Sequence, residues 1–213
     1  PVGYGDVALL FQAMTNVTLY EAALKREGIP YLTVAGKGYY DRQEVWDLLN
    51  LLRALHNPAD DLALASALRA PLFGLSDDAL LALRMLPGED GAPLPLWTAL
   101  EHAETVPPDE RDLVAFAAAC LRELRALAGR VTISELLRAA LDRTGFLATL
   151  TGLPDGARRR ANVEKLIAKA ESSGRITLGA FSQYITDLSA REAREGEAPL
   201  EAQGAVTLMT VHA

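Results

Sequence analysis

The sequence predicts a mostly helical α/β fold, in which a partial parallel sheet is interrupted by a large all-α insertion. Three observations carry that expectation. Short apolar runs that read as strands lie near the two ends of the chain: "DVALLF" (6–11), "IPYLTVAG" (29–36) and "VTLMTV" (206–211). A helical pattern joins the first two, which makes them a β-α-β unit with both strands in one parallel sheet. Between the second and third runs the pattern is helix after helix.

Each element has a local reason. "NVTLYEAALKREG" (16–28) puts Val17, Tyr20 and Leu24 on one helical face and stops at Gly28, a C-cap signal. "YYDRQEVWDLLNLLRALHNP" opens with Asp41 as N-cap and Glu44 three residues on, the spacing of a capping box. Val45, Leu48, Leu49, Leu52 and Leu55 form its buried stripe, and Pro58 ends it. Ser76 caps "SDDALLALRML", with Asp77 and Asp78 at the positive end of the helix dipole. "LPLWTALEHA" follows, with Trp97 in the core. The paired prolines of "TVPPDE" (105–110) make the best internal boundary. Helices then fit 109–128, 132–143 (Thr132 and Glu135 as a capping box), 157–172 and 177–194, and 194–204 is a polar return loop. The closing strand joins the first two. The expected division is therefore 1–105, a helical insertion at 106–197, and a return segment at 198–213.

Half of the 213 residues are hydrophobic, enough for a sizeable core. The net charge of −7 speaks against a simple nucleic-acid-binding domain, but the average hides a split. Residues 1–105 carry seven basic and fourteen acidic side chains, whereas residues 106–197 carry fourteen and thirteen. The single cysteine, Cys120, sits in "LVAFAAACL" and reads as a buried thiol, which excludes a disulfide framework and suits a reduced, intracellular setting. No stretch approaches the roughly 20 apolar residues a membrane span needs, and no leader is read, so a cytoplasmic location without membrane partners is expected.

A catalytic centre is not legible. There is no "GxxxxGK[ST]", no metal-ligand cluster and no nucleophile–base pair, and His56, His102 and His212 are scattered. "AGKGYY" (35–40) is a glycine-rich turn without the Lys-Ser/Thr of a phosphate loop. "GARRRANVEKLIAK" concentrates Arg158, Arg159, Arg160, Lys165 and Lys169 against Glu164. It reads either as a phosphate-backbone contact or as a solvated helix face.

"VTLMTVHA" (206–213) resembles the start of helicase motif V of the UvrD/Rep-type superfamily 1 DNA helicases, where the strand runs on into Lys-Gly-Leu-Glu. Residues 7–55, "VALLFQAMTNVTLYEAALKREGIPYLTVAGKGYYDRQEVWDLLNLLRAL", resemble motif IV and the segment after it, in the same order. "NPADDLALASALRAPLFGLSDDALLAL" is similar to the AddA/RecB-like helicase-nuclease branch. The likeness covers most of 6–104 and 157–213, and the middle weakly.

The resemblance implies a partial RecA-like domain 2A (1–105 and 198–213) interrupted by an inserted domain 2B (106–197), ending inside motif V. It implies ATP and Mg²⁺ as cofactors of the full-length protein, and none bound by this fragment alone. As partners it implies DNA as single strand and duplex junction, the N-terminal motor domain of the same protein, and a second helicase-nuclease subunit. Gln12 stands where the family usually has a motif IV Arg that reaches the γ-phosphate. An amide can donate a hydrogen bond there but cannot neutralise phosphoryl charge; Gln12 can equally be a polar residue at a strand end. Thr210 and His212 would face the single-stranded DNA track, with Thr210 otherwise an ordinary strand residue. Arg42 would reach DNA or the other motor domain, or else pair with Asp41 or Glu44. The rival reading, from another class, is a non-motor helical adaptor that binds a protein partner.

Overall fold

The computed structural model describes residues 2–33, 39–40, 42–89, 91–173, 177–181, 183–184 and 204–211. Three strands, β1 (Ala8–Phe11), β2 (Tyr31–Thr33) and β3 (Val206–Thr210), form one parallel sheet in the order β1-β3-β2. The strand that comes last in sequence is thus the central one. Its register sets Ala8 against Thr207, Phe11 against Thr210, and Tyr31 against Val206. Hydrogen bonds tie it down on both sides, from Val206 N to Pro30 O (2.9 Å) and from Thr207 N to Val7 O (2.9 Å). The expected run to 211 is one residue too long. Val211 lies past the strand end and is 57% exposed, because only its N–H is still used, on Phe11 O.

Helix α1 (Val17–Arg26) packs one side of the sheet. Val17 and Leu24 join Val206, Leu208, Leu9, Phe11, Met14, Ile29 and Tyr31 in a small apolar core. Tyr20, expected on that face, is half exposed and meets Phe11 edge-on at 4.9 Å between ring centroids. Gly28 follows with φ +67°, a left-handed conformation that lets Ile29 N turn back to Leu24 O.

The helices build a second, larger core. They are α2 (Gln43–His56), α3 (Asp61–Arg69), α4 (Asp77–Arg84), α5 (Leu96–Ala99), α6 (Arg111–Leu127), α7 (Ile133–Thr144), α8 (Phe146–Thr151) and α9 (Gly156–Ser172). All five stripe residues of α2 are buried, packed with Leu64 and Leu68 of α3, Leu121 and Leu124 of α6, and Phe146 of α8. Ser76 caps α4 by accepting from Ala79 N, and Thr132 and Glu135 form the expected capping box of α7. Trp97 is only partly buried at the edge of this core. The expected helix over 177–194 falls largely outside the described residues; Leu178 and Phe181 pack into the same core.

One expectation changes here. The N-cap of α2 is Arg42, with no side-chain cap, and the capping box is not formed; Asp41 lies outside the described residues. Glu44 is instead drawn into the interior, where partners from α9 outcompete a solvent-exposed cap. The segment 105–110 consists of 3₁₀ turns around Val106, which is buried in the helical core, while Glu110 accepts from Ser76 N and Ser76 Oγ. The apolar core therefore runs on across this segment.

Candidate nucleotide- and DNA-binding edge

A parallel sheet presents the carboxyl ends of its strands on one edge, and ligands of open α/β sheets bind in the crevice outside that edge. Here β1 ends at Phe11 and β3 at Thr210, which are direct neighbours in register. Gln12 follows Phe11 in an exposed bend, and Thr210 is half-buried beside it. Gln12 and Thr210 therefore share one edge, an amide and a hydroxyl next to each other. Both can donate to phosphate oxygens, and neither carries charge. His212 lies outside the described residues. Among those residues, no group of three His, Cys, Asp or Glu side chains assembles into a possible metal site.

The basic residues of α9 lie elsewhere. Arg158 donates to Tyr31 O (3.0 Å) and stacks on the Tyr31 ring at 4.6 Å. Tyr31 pairs with Val206, at the start of β3. At about 3.3 Å per residue, the four steps to Thr210 put this contact on the order of 13 Å from the carboxyl edge. Arg159 Nη1 bonds Glu44 Oε2 at 3.1 Å, and Asn162 Nδ2 bonds Glu44 Oε1 at 2.7 Å. Glu44 is 2% exposed, so its charge is held by these two groups. Lys165 sits over the Tyr39 ring at 4.4 Å and Lys169 over Tyr40 at 5.8 Å. Arg160 faces solvent and pairs with Glu164 one turn on.

Arg42, Arg158 and Arg159 come together with Lys25, Glu44 and Asp155 around a polar cavity of about 360 Å³ between α1, β2, α2 and α9. Lys25 Nζ meets Asp155 at 2.6 Å on its rim. Burial raises the Tyr31 hydroxyl above its usual range, against the opposing pull of Arg158. The structure thus brings Gln12 together with Thr210, and Arg42 together with Arg158 and Arg159, while Lys165 and Lys169 lie over Tyr39 and Tyr40 and Arg160 faces solvent. Sequence reasoning missed Glu44, Asn162 and Tyr31, Tyr39 and Tyr40 as partners. One signal was available: residues 158, 162, 165 and 169 are spaced 4, 3 and 4 apart, which puts them on one helical face.

Residues 2–89, spanning β1 to α4 and including Gln12 and Arg42, match the UvrD-like helicase C-terminal domain. Over that stretch the chain is similar to the UvrD-like helicase family. Curated relatives extend the likeness over β3 and α9. The chain is 30% identical over 217 residues to an ATP-dependent helicase/nuclease subunit of Leuconostoc mesenteroides, covering 100% of this chain and 17% of that protein. The protein of the same name from Levilactobacillus brevis is 29% identical, over 100% of this chain and 18% of its own length. That from Moorella thermoacetica is also 29% identical, over 98% and 20%. The chain therefore spans about a fifth or less of these relatives. The small parallel sheet with a large helical body is consistent with the partial RecA-like fold that the sequence led us to expect. Among the described residues no helix is long and apolar enough to cross a membrane.

Proposed function

We propose that the intact protein is an ATP-dependent DNA helicase or translocase of the helicase-nuclease branch, acting in DNA-end processing or repair from a cytoplasmic setting. This chain supplies the second wall of the ATP cleft and part of the single-stranded DNA track. The observation that supports this most is the shared carboxyl edge, where β3 sets Thr210 beside Phe11 and Gln12. Residues 1–105 and 198–213 act as domain 2A and 106–197 as inserted domain 2B, although their apolar core is continuous at Val106.

Gln12 donates its amide to the nucleotide's terminal phosphate, and Thr210, with His212 after it, holds the DNA backbone without reading sequence. Mg²⁺ and the cationic charge on the γ-phosphate come from the opposite motor domain; in support, position 12 is an uncharged amide and the described residues hold no group of three His, Cys, Asp or Glu side chains able to take a metal. Arg158, Arg159, Arg160, Lys165 and Lys169 belong to the insertion, and Arg42 of domain 2A meets Arg158 and Arg159 at the cavity between them. Of these, Arg160 is the most open to a duplex. A second helicase-nuclease subunit completes the assembly.

The test uses the full-length protein and measures ATP hydrolysis with and without single-stranded DNA. Thr210→Ala should weaken the DNA stimulation about tenfold, in line with the loss of a phosphate contact, while leaving DNA-free turnover unchanged. Gln12→Arg should raise turnover. An intact protein without DNA-stimulated hydrolysis would reject the motor reading.

A further inference from the structure

A cavity of about 760 Å³ opens on the far side of α2, between that helix, the end of α3 and the loop before α4. Gln43, Trp46, Asp47 and Asn50 line it from α2, and Arg69 and Asp77 face them. Two features are unusual for a surface cleft. Trp46 is 38% exposed, with one ring face already covered by the Arg53 guanidinium at 5.2 Å. Beside it, Asp47 is 2% exposed, yet its carboxylate takes a single hydrogen bond among the described residues, from Gln43 Nε2 to Oδ1 at 2.7 Å. Arg69 does not serve it, because its guanidinium is bound in two-pronged fashion to Asp77 (2.7 and 3.1 Å). A nearly buried carboxylate whose one hydrogen-bond partner is neutral thus lines the cleft next to an open indole.

We propose that this cleft receives an arginine side chain from a basic segment of a partner protein, stacked on Trp46 and paired with Asp47. Guanidinium suits both halves: its plane stacks on indole, as Arg53 already does, and its fork of N–H donors matches a carboxylate. The cleft lies within residues 1–105, whose balance of seven basic and fourteen acidic side chains attracts a cationic peptide and repels a phosphate backbone. This proposal is independent of the motor reading.

Proton linkage gives it a signature. Burial, and then the neighbouring Glu44 on α2, push the Asp47 carboxyl up to about 6, while the Gln43 amide and Arg159 from α9 pull the other way; the Arg69–Asp77 pair faces it across the cleft. Arginine binds the ionised form, so affinity should rise as pH passes upward through about 6. The experiment titrates the 213-residue chain by calorimetry with an acetylated hexa-arginine peptide, the same peptide with citrulline, and a single-stranded oligonucleotide. Trp46 fluorescence is followed in a Trp97→Phe background. The arginine peptide should bind and perturb Trp46. Asp47→Asn should weaken it about tenfold and abolish the pH dependence, with unchanged circular dichroism. Trp46→Leu, a surface change that leaves the core alone, should weaken it as well. Equal binding of the citrulline peptide, unaltered affinity in Asp47→Asn, or no arginine binding overturns the proposal. An oligonucleotide that perturbs Trp46 in place of the arginine peptide overturns it in favour of a nucleobase site.

Discussion

At the scale of single residues, two buried acids differ in the number and charge of their partners. Glu44 has two partners, Arg159 and Asn162, and Asp47, one turn away, has a single amide. The raised folded pKa of Asp47 means that between about pH 4 and pH 6 the folded state binds more protons than the unfolded one. Stability therefore falls as pH rises through that window, by about 2–3 kcal/mol. Asp47→Asn should remove this slope and raise the melting temperature at pH 7. A denaturant series at pH 4, 5, 6 and 7 on both proteins measures it, and an unchanged slope would reject the assignment. Glu44→Ala should act in the opposite sense, costing about 3–5 kcal/mol by leaving Arg159 without its buried partner.

At the scale of elements, α9 is the piece whose meaning could not be read locally. The capping box of α7 was legible because Thr132 and Glu135 settle it within three residues. The same spacing at Asp41 and Glu44 misled, because a Glu at that position serves equally as a cap or as a buried anchor. What decided it was Arg159 and Asn162, 115 and 118 residues further along. The basic run likewise reads as surface charge until Tyr31, Tyr39 and Tyr40 are placed against it. Thr210 was legible because an apolar β-branched run ending in polar residues marks a strand end without long-range help. We expect Arg158→Ala to loosen α9 from the sheet and Lys165→Met to loosen it from Tyr39 of the helical core, destabilising by about 0.5–2 kcal/mol each, whereas Arg160→Ala should change stability by less than about 0.5 kcal/mol. Chemical denaturation of the three variants checks the order.

At the scale of the whole molecule, two cores of unequal size share one chain. The helical core holds most of the fully buried side chains, including Tyr39, Phe146 and Phe181, while the sheet core has Val17, Val206 and Leu208 at its centre. Their contact between α1, β2 and α9 is polar, through Lys25–Asp155 and Arg158–Tyr31. Stability should therefore be uneven. Hydrogen exchange on the 213-residue chain is expected to show amides of β1–β3 exchanging at least about tenfold faster than those of α2 and α6. Equal protection would mean a single cooperative unit.

The order β1-β3-β2 also has a temporal side. During synthesis β1 and β2 emerge from the ribosome with no strand to sit between them, and β3 follows roughly 170 residues later. At ordinary elongation rates that is a wait on the order of ten to thirty seconds. The helical body, rich in local contacts, can form during that interval, while Leu9, Phe11 and Tyr31 stay uncovered. The nascent polypeptide thus carries two unpaired strand edges throughout that interval. Any chaperone that shields this chain has its natural landing place there, and loses it when Val206 and Leu208 arrive.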